Sequence, residues 1–181
     1  MQAPDVHFTH EACGKRVTIR TMRHEDKHIE ADFVRGLSQQ SRYYRFHSSL
    51  RELSEQMLEE FTNVDYPREM ALIATVESDP GEQQIAVARY VVTSSSGDTA
   101  ELAVVVGDAW QGCGLGTRLL MELRDMARTV GVTELRMRVL SENRGMLKLA
   151  NKLGFVLEKS QDGYSSRKLG KSIDSGVQTH D

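Results

Sequence analysis

Between Val104 and Leu120 the chain reads VVVGDAWQGCGLGTRLL, with Gly112, Gly114 and Gly116 immediately ahead of a strongly helical run. Glycines so placed let the backbone turn sharply or let something large approach it. The preceding ELAVVV has the alternation of a strand, so the segment is a strand-loop-helix unit whose helix, from near Leu115, presents free N–H groups and partial positive charge. A phosphate or pyrophosphate suits such an end. Taken alone, however, a glycine run is more often a tight turn without a ligand. A dinucleotide fingerprint starting at Gly112 would need glycine or alanine where Thr117 stands, and a P-loop would need a Gly-Lys-Ser/Thr ending that is missing. Neither a nicotinamide cofactor nor a nucleoside triphosphate is favoured.

Glu101 opens the strand that leads into this loop. Period-2 alternation sets Glu101, Ala103 and Val105 on one face and Leu102, Val104 and Val106 on the other. A carboxylate beside such neighbours could be partly desolvated and serve as a base, although residue type alone equally allows an exposed strand-end glutamate. Cys113 lies inside the loop, where a helix N-terminus favours a thiolate, so a covalent route through this cysteine is one reading. The only other cysteine is Cys13, and two cysteines so far apart make neither a disulfide framework nor a thiolate zinc site. His24 and His28 are four apart but lack the His-Glu-x-x-His pattern, and no metal is expected. The segment SRYYRF (41–46) could stack bases, but without a second basic-aromatic element it is better read as packing over the sheet.

The elements that must position these groups follow from periodicity. RVTIRTM reads as a strand, HEDKHIEADFVRGL as a helix, and LSEQMLEEF as a helix capped by Ser54 that buries Met57, Leu58 and Phe61. EMALIATV, QIAVARYVVT and ELAVVV are strands joined by short polar turns, which predicts an antiparallel meander. Leu115, Leu119, Leu123, Met126 and Val130 recur at helical spacing and Gly131 ends that helix. ELRMRVL is a strand, NRGMLKLANKLG a helix closed by Gly154, and FVLEKS a final strand. The expected fold is α/β, a mixed and mostly antiparallel sheet with one strand-helix-strand crossover. Residues 1–15 are expected to be a flexible arm, 16–169 the domain and 170–181 a flexible tail.

With 181 residues, 39% hydrophobic and 27% charged, the chain is the size of one domain with a proper core. The formal net charge of -3 gives no support to nucleic-acid or anionic-membrane partners. The start lacks the basic and apolar regions of a signal peptide, no run approaches a membrane span, and few cysteines fit a reducing compartment; a cytoplasmic location is expected.

Two segments together carry a resemblance. VGDAWQGCGLGTRLL resembles the coenzyme-A pyrophosphate loop of the GNAT superfamily of acetyltransferases, Gln/Arg-x-x-Gly-x-Gly/Ala, here Gln111, Gly114 and Gly116; ENRGMLKLANKLGF resembles that family's second signature, with Asn143, Met146, Leu149, Lys152, Gly154 and Phe155 in register. LSQQSRYYRF and FTNVDYPREMALIA are similar to the catalytic domain of bacterial Pat-type protein-lysine acetyltransferases. The resemblance spans residues 17 to 168 and implies acetyl-CoA as co-substrate, lying where two central parallel strands splay apart.

By that resemblance, Val104, Val105 and Val106 carry the backbone that meets the pantetheine arm, and Gln111, Gly112, Cys113, Gly114, Leu115, Gly116 and Thr117 wrap the pyrophosphate. Asn143 contacts the arm from the other side, unless it is only a helix N-cap. Glu101 is the implied general base, SRYYRF lies near the substrate entrance, and Asp65 and Glu69 are candidates for an acidic approach. The implied acceptor is a primary amine, a protein lysine in Pat-type enzymes; a polyamine or amino compound, or an acyl-CoA sensor without transfer, are the alternatives. One departure stands out. Many relatives have a tyrosine after the helix leucine to protonate the leaving thiolate, whereas Ala150 follows Leu149 here and only Tyr164 remains as a distant candidate.

Overall fold

The computed structural model describes residues 2–158 and 166–173. Along the chain come β1 (His7–Ala12), β2 (Lys15–Thr21), a 3-10 turn at His24–Asp26, α1 (Lys27–Gly36), α2 (Gln39–Phe46), α3 (Glu55–Thr62), β3 (Glu69–Glu77), β4 (Glu82–Val92) and β5 (Thr99–Val106). A second 3-10 turn, Asp108–Trp110, precedes α4 (Leu115–Thr129), β6 (Glu134–Leu140), α5 (Arg144–Lys152), β7 (Val156–Leu157) and β8 (Ser166–Ser172). The described strands form one sheet in the order β1-β2-β3-β4-β5-β6-β8-β7. Every pairing is antiparallel except β5 with β6, which α4 connects as a crossover.

Two apolar layers cover the sheet. On one face Leu115, Leu119, Leu120 and Leu123 of α4 and Ala150 of α5 are buried against Leu72, Ala88, Leu102 and Met137 of the strands. On the other, Ile29, Phe33 and Val34 of α1 pack with Ile73, Val87 and Val105. Each fully buried leucine contributes roughly 1.5–3 kcal/mol, so the four of α4 hold the crossover firmly on the sheet. The alternation expected of β5 is therefore realised, with Leu102 on the α4 side and Val105 on the α1 side.

Three expectations are corrected. Residues 1–15 are not a loose arm: His7–Ala12 pairs residue for residue with β2, and Ala12 is buried. Its alternating burial leaves polar His7, Thr9 and Glu11 exposed, which is why an edge strand here has little hydrophobic signal. The boundary at 170 is also too early, because Gly170 and Ile173 are buried and β8 runs to Ser172. FVLEKS is a strand only over Val156–Leu157; the core pairing with β6 is made by β8. Residues 174–181 and Tyr164 lie outside the described residues.

Arg20 ties β2 to its surroundings. Its guanidinium donates two hydrogen bonds of 2.8 Å to the Asp26 carboxylate and one of 2.7 Å to Glu82, while Asp26 also accepts the Arg23 N–H. Burial opposes the charge on Arg20, but the bonds to Asp26 and Glu82 outweigh it and hold the pKa above the ordinary value. Removing Asp26 leaves the buried cation with Glu82 as its one carboxylate partner and strips the acceptor from the Arg23 N–H. Asp26→Ala is therefore expected to reduce the unfolding free energy by about 3 kcal/mol, measured by urea denaturation.

Candidate active site

The β5–β6 ladder is short. It runs from Thr99 opposite Glu134 to Leu102 opposite Met137 and then stops, although β5 stays paired with β4 as far as Val106 and β6 with β8 as far as Leu140. Each strand is held on its outer side while the two part on the inner side. The gap opens into a cleft of about 850 Å³, within the range of small-molecule sites.

Glu101, Val104, Val105, Val106, Gln111, Gly112, Gly114, Leu115, Gly116, Thr117 and Asn143 all line this cleft. Cys113 does not. Gly112 and Gly114 have φ of +80° and +83°, and a Cβ on either would project into open space, so the loop is bare where it faces the cleft. Gly114 is the N-cap of α4, so the first N–H groups of a well-anchored helix open beside it. Gly116 has the opposite role: its Cβ would lie 3.4 Å from Leu149 Cδ2 and Val106 Cγ2, so anything beyond a methyl would push α4 off β5. These features fit an elongated ligand with a pyrophosphate at the helix end.

Glu101 is half-buried at the deep end of the splay, opposite Arg136 in the last stretch of the parallel ladder. Asn143 caps α5, its side-chain oxygen accepting the Met146 N–H at 3.1 Å. Asp65 is exposed, Glu69 opens β3, and neither lines the cleft. His24 stands 3.8 Å from Glu59 and His28 lies against the Glu25 carbonyl. The cysteines require a fourth correction: the fold brings Cys13 and Cys113 together in a disulfide with Cα atoms 5.3 Å apart, so no free thiol is available for a covalent route.

Helix α2 covers the cleft, and the residue patterns did not announce it as a helix. Ser38 caps it by accepting the Ser41 N–H. Asp108, at the end of β5, accepts from the Ser38 N–H at 2.9 Å and from the Ser38 and Ser41 hydroxyls at 2.8 Å. Gln111 donates to the Val106 carbonyl and to Ser41, and Tyr44 reaches the Glu142 carbonyl across the opening at 3.4 Å. At the other end of α2, Phe46 stacks on Phe61 of α3, with Arg45 5.3 Å and 5.9 Å from the two ring centres. Burial and then repulsion from Arg89 lower the Arg45 guanidinium to about 10, which leaves it charged at neutral pH. Burial, then Arg138 and Arg45, push the His47 imidazole below its ordinary value. Glu101 thus shares the cleft wall with the Arg45, Arg138 and Arg144 guanidiniums and the His47 imidazole.

Asp108 lies below its ordinary 3.8, because the bonds from Ser38 and Ser41 outweigh the opposing effect of burial. A depressed carboxylate stabilises the folded arrangement above its unfolded pKa and loses that effect as pH falls through the folded value. The α2 anchor is accordingly intact at neutral pH and released in acid. Asp108→Ala should raise amide hydrogen exchange over residues 39–46 by about tenfold or more while β3–β5 stay protected.

The comparisons with known proteins agree with this geometry. Residues 16–156 match the acetyltransferase (GNAT) domain. The chain is 34% identical over 149 residues to the acetyltransferase PA5475 of Pseudomonas aeruginosa, covering 82% of this chain and 80% of that one. It is 37% identical over 113 residues to the acetyltransferase Pat of Mycolicibacterium smegmatis, covering 62% of this chain but only 33% of Pat. The GNAT domain of S. lividans PAT superposes with a TM-score of 0.84 at 26% identity, covering 95% of this chain and 100% of that domain. The protein belongs to the GNAT family of acetyltransferases.

Proposed function

We propose that this enzyme moves the acetyl group of acetyl-CoA to a protein lysine side chain, in the cytoplasm, by direct attack with Glu101 as general base. The observation that carries this reading is the splay of β5 from β6, which sets a half-buried carboxylate at one end of a cleft and a bare glycine loop on a helix N-terminus at the other. The Pat-like segments at 37–46 and 61–74, and the identity to Pat itself, support a lysine acceptor.

Acetyl-CoA supplies a thioester, which is already activated toward amines. The chain has to bind it, orient it and manage protons. The amides from Gln111 to Thr117 would hold the pyrophosphate, and the β5 backbone at Val104 and Val106, left without a β6 partner, would hydrogen-bond the extended arm as a strand does. Donors of β5 would also polarise the carbonyl. A lysine of pKa about 10.4 is almost wholly protonated at pH 7, and making it neutral costs about 4.6 kcal/mol. Glu101 would accept that proton as the nitrogen attacks. With Ala150 after Leu149, solvent rather than a tyrosine on α5 would protonate the departing thiolate.

Two variants separate binding from chemistry. Gly114→Glu should abolish acetyl-CoA binding in calorimetric titration while the circular dichroism spectrum is retained, because the added carboxylate enters the anion site. Glu101→Gln should bind acetyl-CoA as the parent does yet lose about 100-fold or more in kcat. An acceptor panel decides the substrate class: labelling of folded proteins on lysine is expected, and turnover of free amines without protein labelling would reject the lysine acceptor.

A further inference from the structure

The cleft contains Gly112 and Gly114 but not the residue between them. Cys113 turns its side chain to the back of the loop, where its sulfur lies 3.1 Å from the Trp110 carbonyl and bonds to Cys13. Cys13 sits at the tip of the β1–β2 hairpin, in the left-handed region with φ of 50°, next to Gly14 at 70°. The hairpin is a firm anchor, paired from His7–Arg20 to Ala12–Lys15, with Ala12 and Val17 in the core and Lys15 5.7 Å from the Trp110 ring centre. A Cα separation of 5.3 Å lies within the span that a disulfide bridges.

We propose that the Cys13–Cys113 pair is a positioning device for the cofactor loop: oxidised, it holds the loop in its anion-binding shape, and reduced, it lets the loop loosen and weakens acetyl-CoA binding. The inference rests on the reading of residues 111–117 as the pyrophosphate site. Two left-handed glycines flank Cys113, so an untethered loop has wide backbone freedom that a ligand must remove on binding. A covalent tie to a strand pair removes part of that freedom in advance, without placing any atom in the cleft. Cys13 is exposed and Cys113 half-buried, so oxidants and reductants can reach the pair.

The oxidant is a hydroperoxide. One thiolate attacks a peroxide oxygen, forming a sulfenic acid and releasing hydroxide that takes up the thiol's proton as water; the second thiol then displaces the sulfenic oxygen as another water and the S–S bond forms. Two thiols and hydrogen peroxide thus give one disulfide and two waters. A dithiol reverses the change by thiol-disulfide exchange, returning two electrons and two protons.

The test uses the full chain, oxidised with hydrogen peroxide or reduced with dithiothreitol, with the state of the cysteines verified by intact mass. Reduction should weaken acetyl-CoA binding about fivefold, of the order of one loop residue's backbone freedom. KM for acetyl-CoA should rise by the same factor with kcat at saturation unmoved, and Cys13→Ser should show the reduced parent's KM whether or not peroxide is added. Equal affinity in the two verified states, or cysteines that do not pair under peroxide, would overturn the inference and leave the cofactor site standing. A tie with only a structural role would shift the melting temperature and not KM, which also rejects it. No acetyl-CoA binding in either state would remove the cofactor reading and this inference with it.

Discussion

The site depends on an interrupted pairing. Backbone N–H and C=O groups in a sheet need partners, and the inner edges of β5 beyond Leu102 and of β6 beyond Met137 lose theirs because the two strands diverge. Neither strand can close the gap, since β4 and β8 hold the outer edges to the ends of both. The chain therefore keeps a strand edge with no neighbouring strand inside a stable sheet, its Val106 carbonyl taken up by the Gln111 side chain. That edge suits an extended polar arm such as the one proposed for the acetyl donor. The loop into α4 leaves from the open end, and Glu101 sits where the pairing is still intact.

The surrounding elements differ in how firmly they are held. On the α4 side, buried leucines anchor the helix, Gly116 permits its close approach to β5, and the β1–β2 hairpin backs the loop. On the other side α2 is short and mostly polar, attached by the Asp108 carboxylate at one end and by aromatic and cationic packing at the other. Such a helix can be displaced at small cost.

Residue patterns were informative wherever burial imposed a period. The leucines of α4, the β3–β5 meander, the Ser54 cap of α3 and the faces of β5 could all be read, because one side of each element meets a core. β1 and β8 could not. HFTHEA and SRKLGKS bury little side-chain surface and owe their strand conformation to backbone pairing with β2 and β6, which residue type does not encode. α2 was hidden for a related reason: QQSRYYRF has no apolar stripe, and Ser38 was its one readable signal. The cleft-lining roles of Arg45, His47 and Arg138 depend on that helix and on the bare far half of β6, so they were invisible as well.

The cysteine pair shows a different limit. A separation of 100 residues gives no local cue, and reading the first fifteen residues as an arm removed the only partner Cys113 could have. Once β1 is a strand, the turn at Cys13–Gly14 has to lie at the end of the hairpin, and the contacts of Arg118 with the Phe8 ring at 4.8 Å and of Lys15 with the Trp110 ring at 5.7 Å set that hairpin beside the start of α4. The glycine loop is then bounded by sheet backbone in front and a hairpin tip behind. Its bareness toward the cleft and its attachment at the rear are two parts of one arrangement: glycines give access to an anion but leave the loop poorly defined, and a contact from outside the cleft can restore definition without obstructing that access.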